Sequence, residues 1–186
     1  GIRKSYDTAI ELLNSTQEVQ IIGKSPTDTE APAAIMCVVS AADFMKHPHL
    51  KEEVFGPCGI LVECASIQEM EATIAALGGQ LTITFAATQE DVLANQSLVD
   101  LVKNKCGRLL FNGMPTGVEV VYAMQHGGVF PSSTDSRFTS VGPDAMKRFL
   151  RPLSFQNWPD GLLPAELQNS NPTSIERIEN NKRILP

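Results

Sequence analysis

In Lys51-Glu52-Glu53-Val54-Phe55-Gly56-Pro57, two carboxylates stand directly before an aromatic residue and a glycine-proline turn. On its own this segment reads as solvated charge, a core phenylalanine and a turn. Four cysteines, Cys37, Cys58, Cys64 and Cys106, could carry thiol or metal chemistry. They are scattered through aliphatic segments without a short paired spacing, which argues against both a disulfide framework and a zinc knuckle. They are expected to be buried, reduced thiols in a cytoplasmic protein. Gly23-Lys24-Ser25 ends like a phosphate-binding loop, but the glycine required five residues earlier is Glu18. In His47-Pro48-His49 the proline prevents the one-face helical spacing of a metal pair, so a surface helix end is expected there. Neither a Gly-x-Ser-x-Gly elbow nor a Gly-x-Gly-x-x-Gly turn after a strand occurs. Asn14-Ser15-Thr16 and Asn95-Gln96-Ser97 match glycosylation triplets only by chance, since no secretory signal accompanies them.

The elements that must position these residues alternate short aliphatic runs with amphipathic stretches, the pattern of an α/β layer architecture. Strands are predicted over Val19 to Ile22, Ala34 to Val39, Gly59 to Val62, Leu81 to Ala86 and Arg108 to Phe111. Helices are predicted over residues 2 to 14, from Ile67 to Leu77 behind a Ser66-x-x-Glu69 capping box, and from about Gln89 to Lys105. From Gly113 to Pro143 glycine, proline, serine and threonine accumulate, as in long functional loops. Phe149 to Leu153 is a candidate late strand or edge, and residues 160 to 186 read as an extended surface tail.

Composition narrows the partners. The chain has 186 residues, enough for one domain that buries roughly 70% of its unfolded surface. Its net charge of −6, with no concentrated basic face, speaks against a nucleic-acid partner. No apolar run approaches the roughly 20 residues that span a bilayer. The first residue is Gly1 rather than methionine, so a processed chain or a piece of a longer one is expected.

Glu-Glu-Val-Phe-Gly-Pro followed by an apolar strand and a capped helix resembles a motif of the aldehyde dehydrogenase superfamily. Phe111-Asn112-Gly113 is similar to the asparagine-containing strand end of that family's catalytic domain, and His126-Gly127-Gly128 falls where the family carries paired glycines beside its substrate tunnel. The stretches 112–120, 124–128, 133–142 and 148–152 are similar to one branch. That branch holds the α-ketoglutaric semialdehyde (2,5-dioxovalerate) dehydrogenases and the NADP-dependent fatty aldehyde dehydrogenases.

The resemblance implies a partial three-layer α/β catalytic domain over residues 1–152, and an oligomerisation strand with a polar tail over 153–186. Leu153 to Trp158 is the expected contact with a partner subunit of a homo-oligomer. It implies NADP or NAD as cofactor, with the Glu53 carboxylate accepting from the nicotinamide ribose hydroxyls and Phe55 packing beside the nicotinamide. Pro115, Thr116, Gly117, Gly127 and Gly128 would line the aldehyde pocket, and His126 would stand near the catalytic thiol. A loop histidine bonded to backbone is the other reading of His126.

The family's thiol nucleophile in Gly-Gln-x-Cys, its base glutamate in Glu-x-Gly-Gly and its dinucleotide domain have no counterpart here. Gly79-Gln80 is followed by Leu81-Thr82. The expectation is therefore the C-terminal portion of an oxidoreductase that converts a semialdehyde or fatty aldehyde to the carboxylic acid, inactive by itself and completed by an N-terminal portion. Two alternatives remain: a non-catalytic binding or assembly module, and an acyl phosphate or acyl-CoA reductase of similar architecture.

Overall fold

In a computed structural model that describes residues 1–26 and 31–186, the chain divides into two units, Gly1–Arg148 and Phe149–Pro186. The first unit opens with α1 (Ile2–Ser15) and β1 (Gln20–Lys24). Next come β2 (Ile35–Ser40), α2 (Ala41–Lys46), a 3-10 turn (Pro48–Lys51), β3 (Cys58–Glu63) and α3 (Ile67–Ala76). It then runs through β4 (Gln80–Phe85), α4 (Gln89–Ala94), α5 (Gln96–Lys103) and β5 (Cys106–Phe111), and ends in a long loop and a 3-10 turn (Pro143–Phe149 by hydrogen bonding).

β2 is the centre of a three-stranded sheet, antiparallel to β1 and parallel to β3, while β4 and β5 form a parallel pair. Along β2 the apolar residues alternate with the pleat, so Ile35, Cys37 and Val39 face inward and meet Leu13 of α1, Phe44 of α2 and Leu50. A second buried group, Leu98, Val99 and Val102, lies on one face of α5. Parallel strands require crossovers, supplied by α2 between β2 and β3 and by α4 with α5 between β4 and β5. The α/β class is observed.

Helix ends are set by local chemistry. Ser66 Oγ accepts from Glu69 N at 3.2 Å and starts α3, while Lys105 Nζ donates to the carbonyls of Ala75 and Leu77 at 2.8 and 2.6 Å and finishes it. The helix predicted from Gln89 to Lys105 is two helices. Asn95 spends its side-chain amide on the Asp91 carbonyl at 2.7 Å, competing with the backbone for the acceptor that an unbroken helix uses, and its own backbone leaves the helical region at φ −124° and ψ 51°. α2 was not anticipated. Its six residues are too few for a periodic signal, but Ser40 caps it by accepting from Asp43 N at 3.1 Å.

Phe149 to Leu153 is not a strand: Phe149 closes a 3-10 turn and residues 150 to 153 form no ladder. Within the second unit the tail is largely exposed but more than extended chain. β6 (Arg177–Glu179) and β7 (Lys182–Ile184) pair antiparallel around Asn180-Asn181, whose φ values of 50° and 63° suit a two-residue hairpin turn. Arg177 ties the hairpin to the preceding chain by donating to the Gln168 and Asn169 carbonyls at 2.6 and 3.0 Å. The Phe155 and Trp158 rings lie 5.9 Å apart in the same unit.

Candidate active site

Glu53 and Phe55 sit on the six residues that join the 3-10 turn to β3. Pro48 occupies the first position of that turn, where a missing N–H costs nothing. The two flanking histidines reach the chain just after α1: His47 Nε2 lies 3.2 Å from Glu18 Oε2 without the geometry of a hydrogen bond, and His49 Nε2 is 2.9 Å from Thr16 Oγ1. Thr16 gives its one hydroxyl proton to the Leu12 carbonyl at 2.9 Å, so His49 Nε2 is the donor in the second contact. After this anchored stretch the chain is extended. Phe55 is 61% exposed, which overturns its plain reading as a core residue, and Glu53 is exposed without a hydrogen bond or ion pair among the described residues. A hollow of about 480 Å³ is lined by Glu53, Phe55, Gly56, Cys58 and Ile60. On its other side Glu53 also faces a cleft of about 900 Å³, shared with Lys51, Gly78, Gly79, Pro131 and Ser132.

The long loop starts at Asn112, at φ 49°, where the side chain brackets Ala87: Oδ1 accepts from Ala87 N at 2.9 Å and Nδ2 donates to Ala87 O at 2.8 Å. That pair ties the ends of β4 and β5 together. Arg108 of β5 then reaches out to the loop, donating to the carbonyls of Gly117 at 3.2 Å and Pro115 at 3.5 Å, with Met124 Sδ at 3.5 Å. Farther on, His126 is clamped by its main chain: its N–H donates to Thr139 Oγ1 at 2.9 Å, and its carbonyl accepts from Ser140 N and Oγ at 2.9 and 2.8 Å. The imidazole is not part of that clamp, and Nδ1 is buried with no partner among the described residues. Gly127 and Gly128 are buried where the loop crosses the sheet. A side chain on Gly127 would come within 2.7 Å of the Phe138 carbonyl, and one on Gly128 within 2.7 Å of the Gln80 carbonyl.

No family model matches the chain. It is 41% identical over 185 residues to α-ketoglutaric semialdehyde dehydrogenase 2 of Azospirillum brasilense, a match that covers 98% of this chain and 35% of the relative. It is 40% identical over 183 residues to α-ketoglutaric semialdehyde dehydrogenase of Acinetobacter baylyi, covering 97% and 35%. The fold is similar to that of betaine aldehyde dehydrogenase from Staphylococcus aureus, solved in complex with NAD+ (TM-score 0.58, 15% identity, 83% of this chain and 32% of that one). It is also similar to methylmalonate-semialdehyde dehydrogenase from Oceanimonas doudoroffii (TM-score 0.56, 21% identity, 84% and 32%). Over nearly its whole length the chain is similar to aldehyde dehydrogenases. It spans about 35% of the length of the curated relatives it matches.

The sequence-derived site residues fall into three places. Glu53 and Phe55 share the hollow before β3, and Glu53 meets the far end of the loop, Pro131 and Ser132, across the larger cleft. Pro115, Thr116 and Gly117 lie on an exposed arch held by Arg108, and His126, Gly127 and Gly128 form the inner anchor of the loop; neither group lines the cleft with Glu53. Burial pushes the thiols of Cys37, Cys58 and Cys106 up from their ordinary range, which disfavours the thiolate that nucleophilic attack requires. Among the described residues no group of three or more His, Cys, Asp or Glu could hold a metal ion, and no helix is long and apolar enough to cross a membrane. Sequence reasoning did not single out Arg108. Its signal was a cation inside an otherwise apolar strand, which needs acceptors wherever it is half-buried.

Proposed function

We propose that this chain supplies the cofactor-facing carboxylate and the aldehyde-binding loop of an NAD(P)-dependent aldehyde dehydrogenase that oxidises a semialdehyde to the carboxylic acid. The observation that carries the reading is the 41% identity to an α-ketoglutaric semialdehyde dehydrogenase across 98% of the chain. The site chemistry agrees with it. Glu53 is an exposed, unpaired acceptor among the described residues, suited to a ribose diol, and Phe55 offers an apolar ring beside it. When bound, the nicotinamide accepts hydride from the substrate. Glu53 and Phe55 orient that ring, the 115–117 arch borders the aldehyde, and the His126 imidazole, with an unused buried nitrogen, is available to a neighbouring polar group. The nucleophilic thiol comes from residues outside these 186, as does the base that activates water. Leu153 to Trp158 contributes to the subunit contact of a homo-oligomer.

A chimera tests the reading: these 186 residues replace the matching region of the Azospirillum brasilense relative, and NAD- or NADP-dependent oxidation of α-ketoglutaric semialdehyde and of a medium-chain aldehyde is measured. Activity restored with the semialdehyde is the expected result, with none from the 186-residue chain alone. A folded, soluble chimera that binds cofactor but oxidises neither aldehyde would favour the assembly-module reading instead.

A further inference from the structure

Among the described residues neither Glu53 nor Phe55 has a side-chain anchor of its own, so their directions are set by the backbone of the turn that follows them. That turn is held at three points. Cys58 N donates to Gly56 O at 2.8 Å, Ile35 N donates to Pro57 O at 2.9 Å, and the third point is Tyr6, on α1 and more than fifty residues away in sequence. Tyr6 is only 4% exposed. Its ring packs against Gly56 so closely that a Cβ there would overlap Cδ2 and stand 2.7 Å from Cε2. Its hydroxyl donates to the Ala33 carbonyl at 2.5 Å and lies 3.4 Å from the Pro57 carbonyl. Ala33 precedes β2 and Pro57 precedes β3, so Tyr6, with its hydroxyl bonded at the first entry and its ring on Gly56 at the second, spans the entries to two adjacent parallel strands. The core of the sheet needs no such bridge, because it is already registered from Ile35↔Cys58 to Ser40↔Glu63. What the phenol adds is a fixed position for the segment outside the ladder, which carries Glu53 and Phe55.

We propose that Tyr6 is a positioning residue for the cofactor site, holding the Gly56-Pro57 turn so that Glu53 and Phe55 point at the bound NAD(P). The inference rests on the proposed function. The phenol must be neutral to donate its one proton to the Ala33 carbonyl, and burial, the largest influence on it, pushes its pKa up from the ordinary value. Gly56 is the complement of Tyr6: glycine is required there because an aromatic ring fills the space of its side chain, although its φ lies outside the left-handed region.

The test has two arms. In the 186-residue chain, hydrogen exchange is followed for residues 52–58 and, as an internal reference, for α5. Tyr6→Phe is expected to speed exchange in 52–58 by about fivefold, through loss of the buried hydrogen bond to Ala33 that seats the ring on Gly56, with α5 unchanged. Gly56→Ala is expected to do more, and Tyr6→Leu combined with Gly56→Ala to recover most of the loss by making room for the methyl group. In the catalytic chimera, Tyr6→Phe is expected to raise the KM for NAD(P) severalfold while the KM for aldehyde stays within twofold, and to shrink the separate effect of Glu53→Gln. Faster exchange in 52–58 without a change in cofactor KM, where Glu53→Gln does change it, overturns the positioning role alone. Equal changes in both KM values, together with faster exchange in α5, mark general destabilisation and also overturn it. A silent Glu53→Gln overturns the cofactor reading itself, and the proposal with it.

Discussion

Arg108 Nη1 donates to the carbonyl of Gly117 at 3.2 Å, so a strand residue holds the top of a loop that begins after the strand has ended. The same guanidinium reaches the Pro115 carbonyl at 3.5 Å. Two acceptors separated by one residue match a planar fork and not a point charge. Arg108→Lys is therefore expected to weaken the arch without unfolding the sheet, raising the aldehyde KM about tenfold in the catalytic chimera while cofactor KM is unchanged. Exchange rates for residues 114–124 check the structural half, and an unchanged aldehyde KM would remove the arch from the substrate site.

Glu53→Gln keeps the size of the side chain and removes its charge. An exposed residue without partners among the described residues contributes little to folding, so the unfolding free energy should move by less than about 0.5 kcal/mol. Cofactor binding should weaken about tenfold, the scale of one charge-assisted hydrogen bond. Urea unfolding and cofactor titration separate the two effects.

Asp135 is held down to about 2, from an ordinary value of 3.8, first by side-chain hydrogen bonds from Arg137 and then by the Arg137 backbone N–H at 3.0 Å. Its carboxylate thus favours the folded state above about pH 4, and that contribution is lost as pH falls through about 2. The melting temperatures of the chain and of Asp135→Asn should differ by a constant amount near neutral pH and converge between pH 4 and 2. A gap that persists at the acid end would mean that the loop is held by something other than this ion pair.

Leu13 is 2% exposed in the core formed by α1, α2 and β2, whereas Leu93 of α4 is 73% exposed. Leu13→Ala is expected to cost about 2–5 kcal/mol of stability and Leu93→Ala well under 1. Denaturant midpoints measured at constant slope decide it.

The parts legible in the sequence were those with local causes. The alternation of Ile35, Cys37 and Val39 marks β2, and Ser66 with Glu69 marks the start of α3, because pleat and cap are properties of a few neighbouring residues. The hairpin turn at Asn180-Asn181 was also local and could have been read, since paired asparagines tolerate positive φ; it was hidden by short, polar flanking strands. What resisted reading was non-local. The exposure of Phe55 depends on which residues leave it uncovered, the arch depends on Arg108 crossing from sheet to loop, and the glycine at Gly56 depends on Tyr6 fifty residues earlier. The resemblance assigned Glu53 to the cofactor, but only the fold shows it on a cleft with Pro131 and Ser132 opposite.

Where the loop passes over the sheet, Gly107, Gly127 and Gly128 meet main chain to main chain, with no side chain between the crossing segments. An anchor made only of backbone is blind to what the loop carries elsewhere. Residues such as Met114, Thr116 and Val118, which protrude from the arch, can be exchanged wholesale without loosening the joint that carries them. The crossing separates the task of staying attached from whatever the arch contacts, so a library randomised at the arch and constant at the three glycines is the natural way to vary that contact.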